Sequence, residues 1–359
     1  MTKRIGILTS GGDCPGLNAA IRGVVKAASA TMDVEIVGIK DGYKGLIYGD
    51  WQELPLSKFS GILNLGGTIL GTARTPFKDM RLVGEDHIDK VAAMKRNYKK
   101  MKLDCLVCLG GNGTHKTANM LSQEGLNIVA LPKTIDNDIF GTEFTFGFHS
   151  AVEIATEVID RVHTTAASHG RCLVVEIMGN KAGWLTLYSG VGGGADVILI
   201  PEIPYDINHV AEVVENRASS GKAFSIIAVA EGAISKEEAK LNKKDRLALK
   251  SENPYRTVGH IIAEDLTRLV GVEARAVVPG HMQRGGGPCA YDRILSTGFG
   301  TYAAKLIKNG TFGTTIALKN GATTHNLLAD VAGKPSPVPM NNHVLLSAKA
   351  LGINLGAKI

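Results

Sequence analysis

The chain has 359 residues, of which 44% are hydrophobic and only 5% aromatic, and its 43 glycines suit many tight strand-to-helix turns; this is the profile of a soluble α/β enzyme with two modest cores. No apolar run reaches the ~18 residues that a membrane span needs, and Met1-Thr-Lys-Arg4 runs straight into a strand-like segment, so neither a span nor a secretory leader is expected and a cytoplasmic location is. The formal charge of +6 fits small anionic ligands, whereas the run Lys95, Arg96, Lys99, Lys100 and Lys102 reads as one solvated helix face rather than a nucleic-acid site.

Buried-strand signals near 3–8, 34–39, 62–65, 105–109 and 127–131 alternate with helical patterns, which predicts a first doubly wound parallel sheet. A helix is expected near 150–165, with Val152, Ala155, Ile159 and Val162 on one face. It leads into a second set of runs near 172–177, 197–201, 224–230 and 274–278, which repeats the architecture. The five cysteines cannot all pair, and Cys105 and Cys108 sit three apart in a predicted strand, where they point to opposite faces; neither a metal nor a redox pair is expected. Residues 234–250 are highly charged and read as a surface excursion.

Three polar loops follow buried strands. Ser10-Gly-Gly-Asp-Cys-Pro-Gly-Leu-Asn18 lies between the first strand and a helix-compatible run from Ala19 to Lys26. Gly110-Gly-Asn-Gly-Thr114 lies between another strand and a helix expected to begin near His115. Strand, glycine loop and helix N-terminus together make an anion site, because glycine lets backbone N–H groups approach phosphate oxygens. Neither loop matches the Walker pattern or the dinucleotide fingerprint. The third loop, Lys133-Thr-Ile-Asp-Asn-Asp138, combines an ammonium, a hydroxyl and two carboxylates at a strand C-terminus, where open parallel sheets place their ligands. Asp136 could take a proton from a substrate hydroxyl while Lys133 meets phosphate charge and Asp138 helps hold a metal. The bland alternative for Asp-Asn-Asp is an Asx turn.

Seven motifs in order, Thr9 to Asn18, Gly66 to Arg74, Gly110 to Thr114, Thr134 to Asp138, Met178-Gly179, Ala230-Glu231 and Pro279 to Gly286, resemble the 6-phosphofructokinase family of the short bacterial type through nearly the whole chain. The resemblance implies two doubly wound parallel-sheet α/β domains with the active site in the cleft between them. A phosphoryl-donor domain would span 1–147 plus a return segment of about 284–330, and a sugar-phosphate domain would span 148–283, with 331–359 as a C-terminal extension. It also implies phosphorylation of fructose 6-phosphate with Mg²⁺, in a homo-oligomer, tetramer or dimer.

Carried over motif by motif, the resemblance gives catalysis to Asp136, Thr134, Lys133 and Arg74. It gives the donor to Gly12, Arg74, Thr75, Gly111, Asn112, Gly113 and Thr114, and the metal to Asn112 and Asp138. The sugar phosphate would engage Thr134, Asp136, Arg171, Met178, Gly179, Glu231, Arg275, His281 and Arg284, with Arg171 and Arg275 supplied by a neighbouring subunit. Arg22, Lys26 and Lys222 fall where the family's effector site is basic, and His163 stands where relatives carry an effector-binding arginine, which implies a weak effector response. Two departures touch the reacting centre: Asn112 replaces a usual aspartate, and Asn180 replaces an arginine, with Lys133, Lys181 and Arg74 able to restore positive charge. Gly113 implies ATP, because a side chain there would crowd the α-phosphate. Lys133 implies pyrophosphate, although some ATP-using branches pair this glycine with this lysine, and the steric consideration is given more weight. Two rival readings are a non-catalytic sugar-phosphate sensor, which intact Asp136 speaks against, and a nucleotide-cofactor kinase, which leaves the His281 to Gly286 motif unexplained.

Overall fold

The structure, a computed structural model, describes residues 2–83, 87–252 and 256–357. The chain forms two compact units: residues 1–150 with 284–336, and residues 151–283 with 337–359.

In the first unit β1 (Lys3–Ser10), β2 (Val34–Ile39), β3 (Trp51–Leu54), β4 (Cys105–Gly110) and β5 (Ile128–Pro132) share one sheet with two late strands described below. All six residues of β4 and all five of β5 are buried. Continuous apolar runs of this kind are what a parallel strand covered on both faces requires. On one face Leu8, Leu106, Cys108 and Ala130 pack with helical residues such as Leu46, Met94 and Leu121. On the other, the helix Leu17–Thr31 lies against the returning helix Ala290–Lys308 so closely that a Cβ on Gly23 would sit 2.9 Å from the Thr297 carbonyl oxygen. Glycine at that crossing is therefore a packing requirement.

With the late strands β10 (Thr314–Lys319) and β11 (Ala322–Leu327), the order across the sheet is β11-β10-β5-β4-β1-β2-β3. From β1 the chain steps to β2 on one side and later to β4 and β5 on the other. The direction of winding therefore reverses between β1 and β4, the crevice where such sheets bind ligands. Register sharpens this: Ser10 pairs with Gly110, and Gly110 with Pro132, so the three polar loops leave the sheet from one row.

In the second unit β6 (Cys172–Ile177), β7 (Val197–Leu199), β8 (Ser225–Ala230) and β9 (Ala274–Val277) form a parallel sheet in the order β7-β8-β6-β9. Its core includes Val174, Leu199, Ile227 and Val229 against Val214, Ile262 and Leu266 of the helices Ile207–Ser219 and Val258–Val270. Ile177 pairs with Ala230, so the loops starting at Met178 and Glu231 also leave from one row.

Several expectations are corrected. No strand forms at 62–65. Leu65 N–H turns back to the Ile62 carbonyl, and the buried Asn18 side chain takes the carbonyls of Leu65 and Gly66 and accepts from Ile69 N–H at 2.9 Å, so these groups are spent on a loop instead of a ladder. The helix after the second glycine loop begins at Asn112, and the long helix runs Phe148–His169. The first sheet is not wholly parallel: β3 pairs antiparallel with β2, and β10 (Thr314–Lys319) with β11 (Ala322–Leu327). The excursion at 234–250 contains two helices, Lys236–Lys240 and Lys243–Glu252. Residues 331–359 divide between the units instead of standing apart; the helix His343–Ala350 packs on the helix Trp184–Gly192, and Asn354 N–H and C=O bond to Asp196 and Ile198. No helix among the described residues is long and apolar enough to cross a membrane.

Because Asn18 organises the 65–69 loop with three hydrogen bonds, Asn18→Ala is expected to lower unfolding free energy by roughly 1–3 kcal/mol, the cost of leaving buried backbone groups unmatched. Urea denaturation of the two proteins checks this.

Candidate active site

The first unit gathers positive charge around one turn of backbone. Lys133 is 3% exposed, and its ammonium donates to the Gly12 carbonyl. A Cβ placed on Gly12 would lie 3.0 Å from one Arg284 nitrogen and 3.6 Å from one of Arg74. Arg284 also donates to the Asp13 carbonyl at 3.1 Å, while its Nε is buried with no hydrogen-bond partner. Burial is the main influence on Lys133 and pulls its pKa down; Cys14, Asp136 and Asp13 oppose that shift, and Arg284 reinforces it. Three cations this close repel one another, so the arrangement favours a multiply charged anion beside Gly12. Arg284, which resemblance gives to the sugar end, thus stands with Lys133 and Arg74.

The loops that carry these groups are rigidly tied. Gly11 N–H donates to Ala73 carbonyl at 3.0 Å, and Thr72 hydroxyl to Gly11 carbonyl at 2.7 Å, which fixes the Gly66 to Thr75 loop against the first glycine loop. Gly11 adopts φ +89°, open to glycine at little cost. In the third loop Asp136 N–H donates to the Thr134 hydroxyl at 3.1 Å. Asn137, with φ 49°, donates to Glu143 carbonyl at 3.0 Å and accepts from Thr145 N–H at 2.9 Å. Turn chemistry and candidate catalysis are therefore the same residues: Asn137 makes the turn that presents Asp136 and Asp138. Sequence reasoning missed Asn137, whose signal was its place between two carboxylates.

Around the second glycine loop, Gly113 is exposed, and a Cβ there would meet no protein atom within 4 Å. Neither packing nor backbone geometry demands glycine at 113. Gly110 is the opposite case, since a Cβ would fall 2.1 Å from the Thr114 hydroxyl. Thr114 is buried, its carbonyl accepting from Tyr43 hydroxyl at 2.9 Å. Asn112 uses its side chain on backbone far along the chain, accepting from Gly333 N–H and donating to Lys334 carbonyl.

In the second unit Met178, Glu231 and His281 follow the C-termini of β6, β8 and β9. Gln283 binds two of these loops together, donating to Gly280 carbonyl at 3.1 Å and accepting from Met178 N–H at 3.2 Å while wholly buried. It lies inside the Pro279 to Gly286 motif. A Cβ on Gly232 would lie 2.0 Å from the Asn180 carbonyl oxygen, so the loops after β6 and β8 touch backbone to backbone. A hollow of about 660 Å³ opens beside Glu231 and Asn180. Arg171 and Arg275 share one carboxylate, Glu273, at 2.7 and 2.5 Å, and their hydrogen bonds hold its pKa down. His163 donates its Nε2–H to Gly193 carbonyl at 2.8 Å. No cluster of three or more His, Cys, Asp or Glu side chains suited to a metal occurs among the described residues.

Anion-facing loops leaving one row of a parallel sheet, with cations converging on them, define the class of α/β proteins that hold phosphate at strand C-termini. The chain belongs to the phosphofructokinase family, whose profile matches residues 4–307. It is 52% identical to the ATP-dependent 6-phosphofructokinase of Spirochaeta thermophila over 99% of this chain and 98% of that one. It is 44% identical to the ATP-dependent 6-phosphofructokinase of Propionibacterium freudenreichii over 99% and 100%. Among solved structures it is similar to Pichia pastoris phosphofructokinase in the T-state, with a TM-score of 0.78 and 32% identity, covering 92% of this chain and 35% of that one. The pyrophosphate-dependent phosphofructokinase of Nitrosospira multiformis superposes with a TM-score of 0.80 at 18% identity over 98% and 92%, a likeness of fold alone.

His115 supports the second glycine loop from beneath and is fully buried. Its Nδ1–H donates to Gly111 carbonyl at 3.0 Å and its Nε2 accepts from Thr315 hydroxyl at 2.8 Å; burial pulls the pKa from 6.5 to about 4. The folded pKa lies below the unfolded one, so the unfolded chain binds the proton better and stability falls as pH drops from 6.5 towards 4, by on the order of 3 kcal/mol from this group. His149, also near 4 through burial, adds to the loss. Urea denaturation at neutral pH and near pH 4.5 should therefore show a smaller acid-induced loss in His115→Gln than in the parent.

Proposed function

We propose that the chain transfers the γ-phosphoryl group of ATP to the 1-hydroxyl of fructose 6-phosphate, giving fructose 1,6-bisphosphate, the glycolytic reaction of a cytoplasmic phosphotransferase. The observation that carries the reading is the convergence of buried Lys133 with Arg74 and Arg284 on Gly12, with Asp136 close enough to bear on the charge of Lys133. Asp136 takes the proton from the 1-hydroxyl as that oxygen attacks. Thr134 orients the same end of the sugar, and the three cations offset charge developing on the transferred group. Positioning does most of the work in such transfers.

Donor phosphates rest on the N–H groups of Gly111, Gly113 and Thr114, with Gly12, Arg74 and Thr75 closing the loop. Mg²⁺ binds with one or two carboxylates plus substrate phosphates, so the absence of a three-ligand cluster among the described residues suits an ion that arrives with the nucleotide. The resemblance gives the ion to Asp138 as well as to Asn112, and both ends of the Asn112 amide are taken up by Gly333 and Lys334. When bound, the ion neutralises phosphate charge. The sugar takes Met178, Gly179 and Glu231, and its 6-phosphate takes His281. Arg171 and Arg275, held together by Glu273 on an exposed face, would serve a neighbouring copy in a homo-oligomer, a tetramer or a dimer.

The ATP assignment is supported by Gly113, whose missing side chain the protein itself does not require, and by relatives that carry ATP in their names. Initial rates with each donor should show far higher specificity for ATP than for pyrophosphate; the reverse would make Lys133 the better guide. Gly113→Asp should abolish ATP use, because a carboxylate at that position clashes with and repels the α-phosphate.

Asp136→Asn keeps the shape of the side chain and cannot take the proton, so kcat should fall by about 10²–10⁴-fold with little change in sugar affinity. Steady-state kinetics with direct binding decide it. Near-full kcat with lost affinity would make Asp136 a binding group.

A further inference from the structure

Asn112 opens the helix Asn112–Gln123 at the second glycine loop. Its side-chain oxygen accepts from Gly333 N–H at 2.9 Å and its amide nitrogen donates to Lys334 carbonyl at 3.2 Å. On the other side the same short segment forms an antiparallel bridge between Pro335 and Ile139, and the Lys334 ammonium lies 5.5 Å from the centre of the Phe140 ring. Ile139 and Phe140 directly follow the Thr134 to Asp138 loop. Gly333 has φ +86°, and a Cβ there would sit 2.8 Å from Lys116 Cε, so a second residue of the helix lies over the segment. All these groups belong to the first unit, and the segment falls beyond residue 307, where the family match ends.

We propose that Gly333–Pro335 is a strap fixing the donor loop to the loop that carries Asp136, and that Asn112 is the positioning residue that fastens it. An asparagine suits the task because one planar group must both accept and donate. An aspartate would still accept from Gly333 N–H but would set its other oxygen against the Lys334 carbonyl, with no proton between them. The inference rests on reading 110–114 as the donor loop, and it opposes a role for residue 112 as a metal ligand, where a carboxylate would serve Mg²⁺ at least as well as an amide does.

The test uses the full chain with Asn112→Ala and Asn112→Asp, measured in two ways. Initial rates over ATP and Mg²⁺ at saturating fructose 6-phosphate should show KM for ATP raised about tenfold in both variants, the size expected when two modest hydrogen bonds holding a loop are lost. The effect on kcat should be smaller, and the Mg²⁺ requirement unchanged. Backbone amide exchange should quicken in the peptide containing Gly333 and Lys334 and stay the same in β6. Exchange is read without turnover, so it tests the strap even if the chain proves to use another donor. Unchanged exchange in both variants, or an Asn112→Asp protein with parental KM and a lowered Mg²⁺ requirement, would overturn the proposal.

Discussion

The constraint on which the site depends is the register of three parallel strands. Ser10, Gly110 and Pro132 stand side by side at the ends of β1, β4 and β5, so whatever follows each strand is delivered to the same edge. A slip of one residue in any of them would turn its side chains to the opposite face and displace its loop. Fully buried runs such as Cys105–Gly110 make that slip expensive, since apolar side chains pack on both faces. The precision of the loops is thus derived from the sheet, and the loops themselves need only the short-range ties made by Asn18, Thr72 and Asn137.

That edge is also where charge is concentrated against the preference of burial. Lys133 is held at the Gly12 carbonyl with Arg74 and Arg284 beside it, and burial lowers its pKa. In the proposed reaction a bound phosphoryl group would pair with all three cations, so that ligand binding and relief of repulsion become one event. The unpartnered Nε of Arg284 fits the same picture, as a donor still waiting for an acceptor.

Much of this was legible in the chain. The strands near 3–8, 34–39 and 105–109 carry apolar runs, and the polar cluster at 133–138 could be placed at a strand end because it follows the apolar run at 127–131. Other elements were hidden for identifiable reasons. The hairpin of β10 and β11 turns at Asn320 and Gly321, both with positive φ, a strong two-residue turn signal that went unused because Thr and Lys dilute the apolar alternation around it. The segment 62–65 has enough apolar character for a strand, yet the side chain that claims its carbonyls, Asn18, lies more than forty residues earlier. The partners of Asn112 at 333 and 334 are further still, and no local pattern announces them.

Gly113 and Lys133, which point to different donors when read as letters, occupy different physical positions. Lys133 faces inward: its ammonium is buried, bonded to backbone and balanced by Asp13 and Asp136, so its presence is tied to the local charge of the site. Gly113 faces outward into space that no protein atom occupies, and its backbone angles are open to any residue. The fold alone therefore does not account for the glycine at 113. On the proposed reading, a nucleotide and pyrophosphate differ in what extends beyond the transferred phosphoryl group, and that extension would pass Gly113. If the proposed donor site holds, the steric difference at 113 would distinguish the two donors, whereas the buried cation at 133 would serve both.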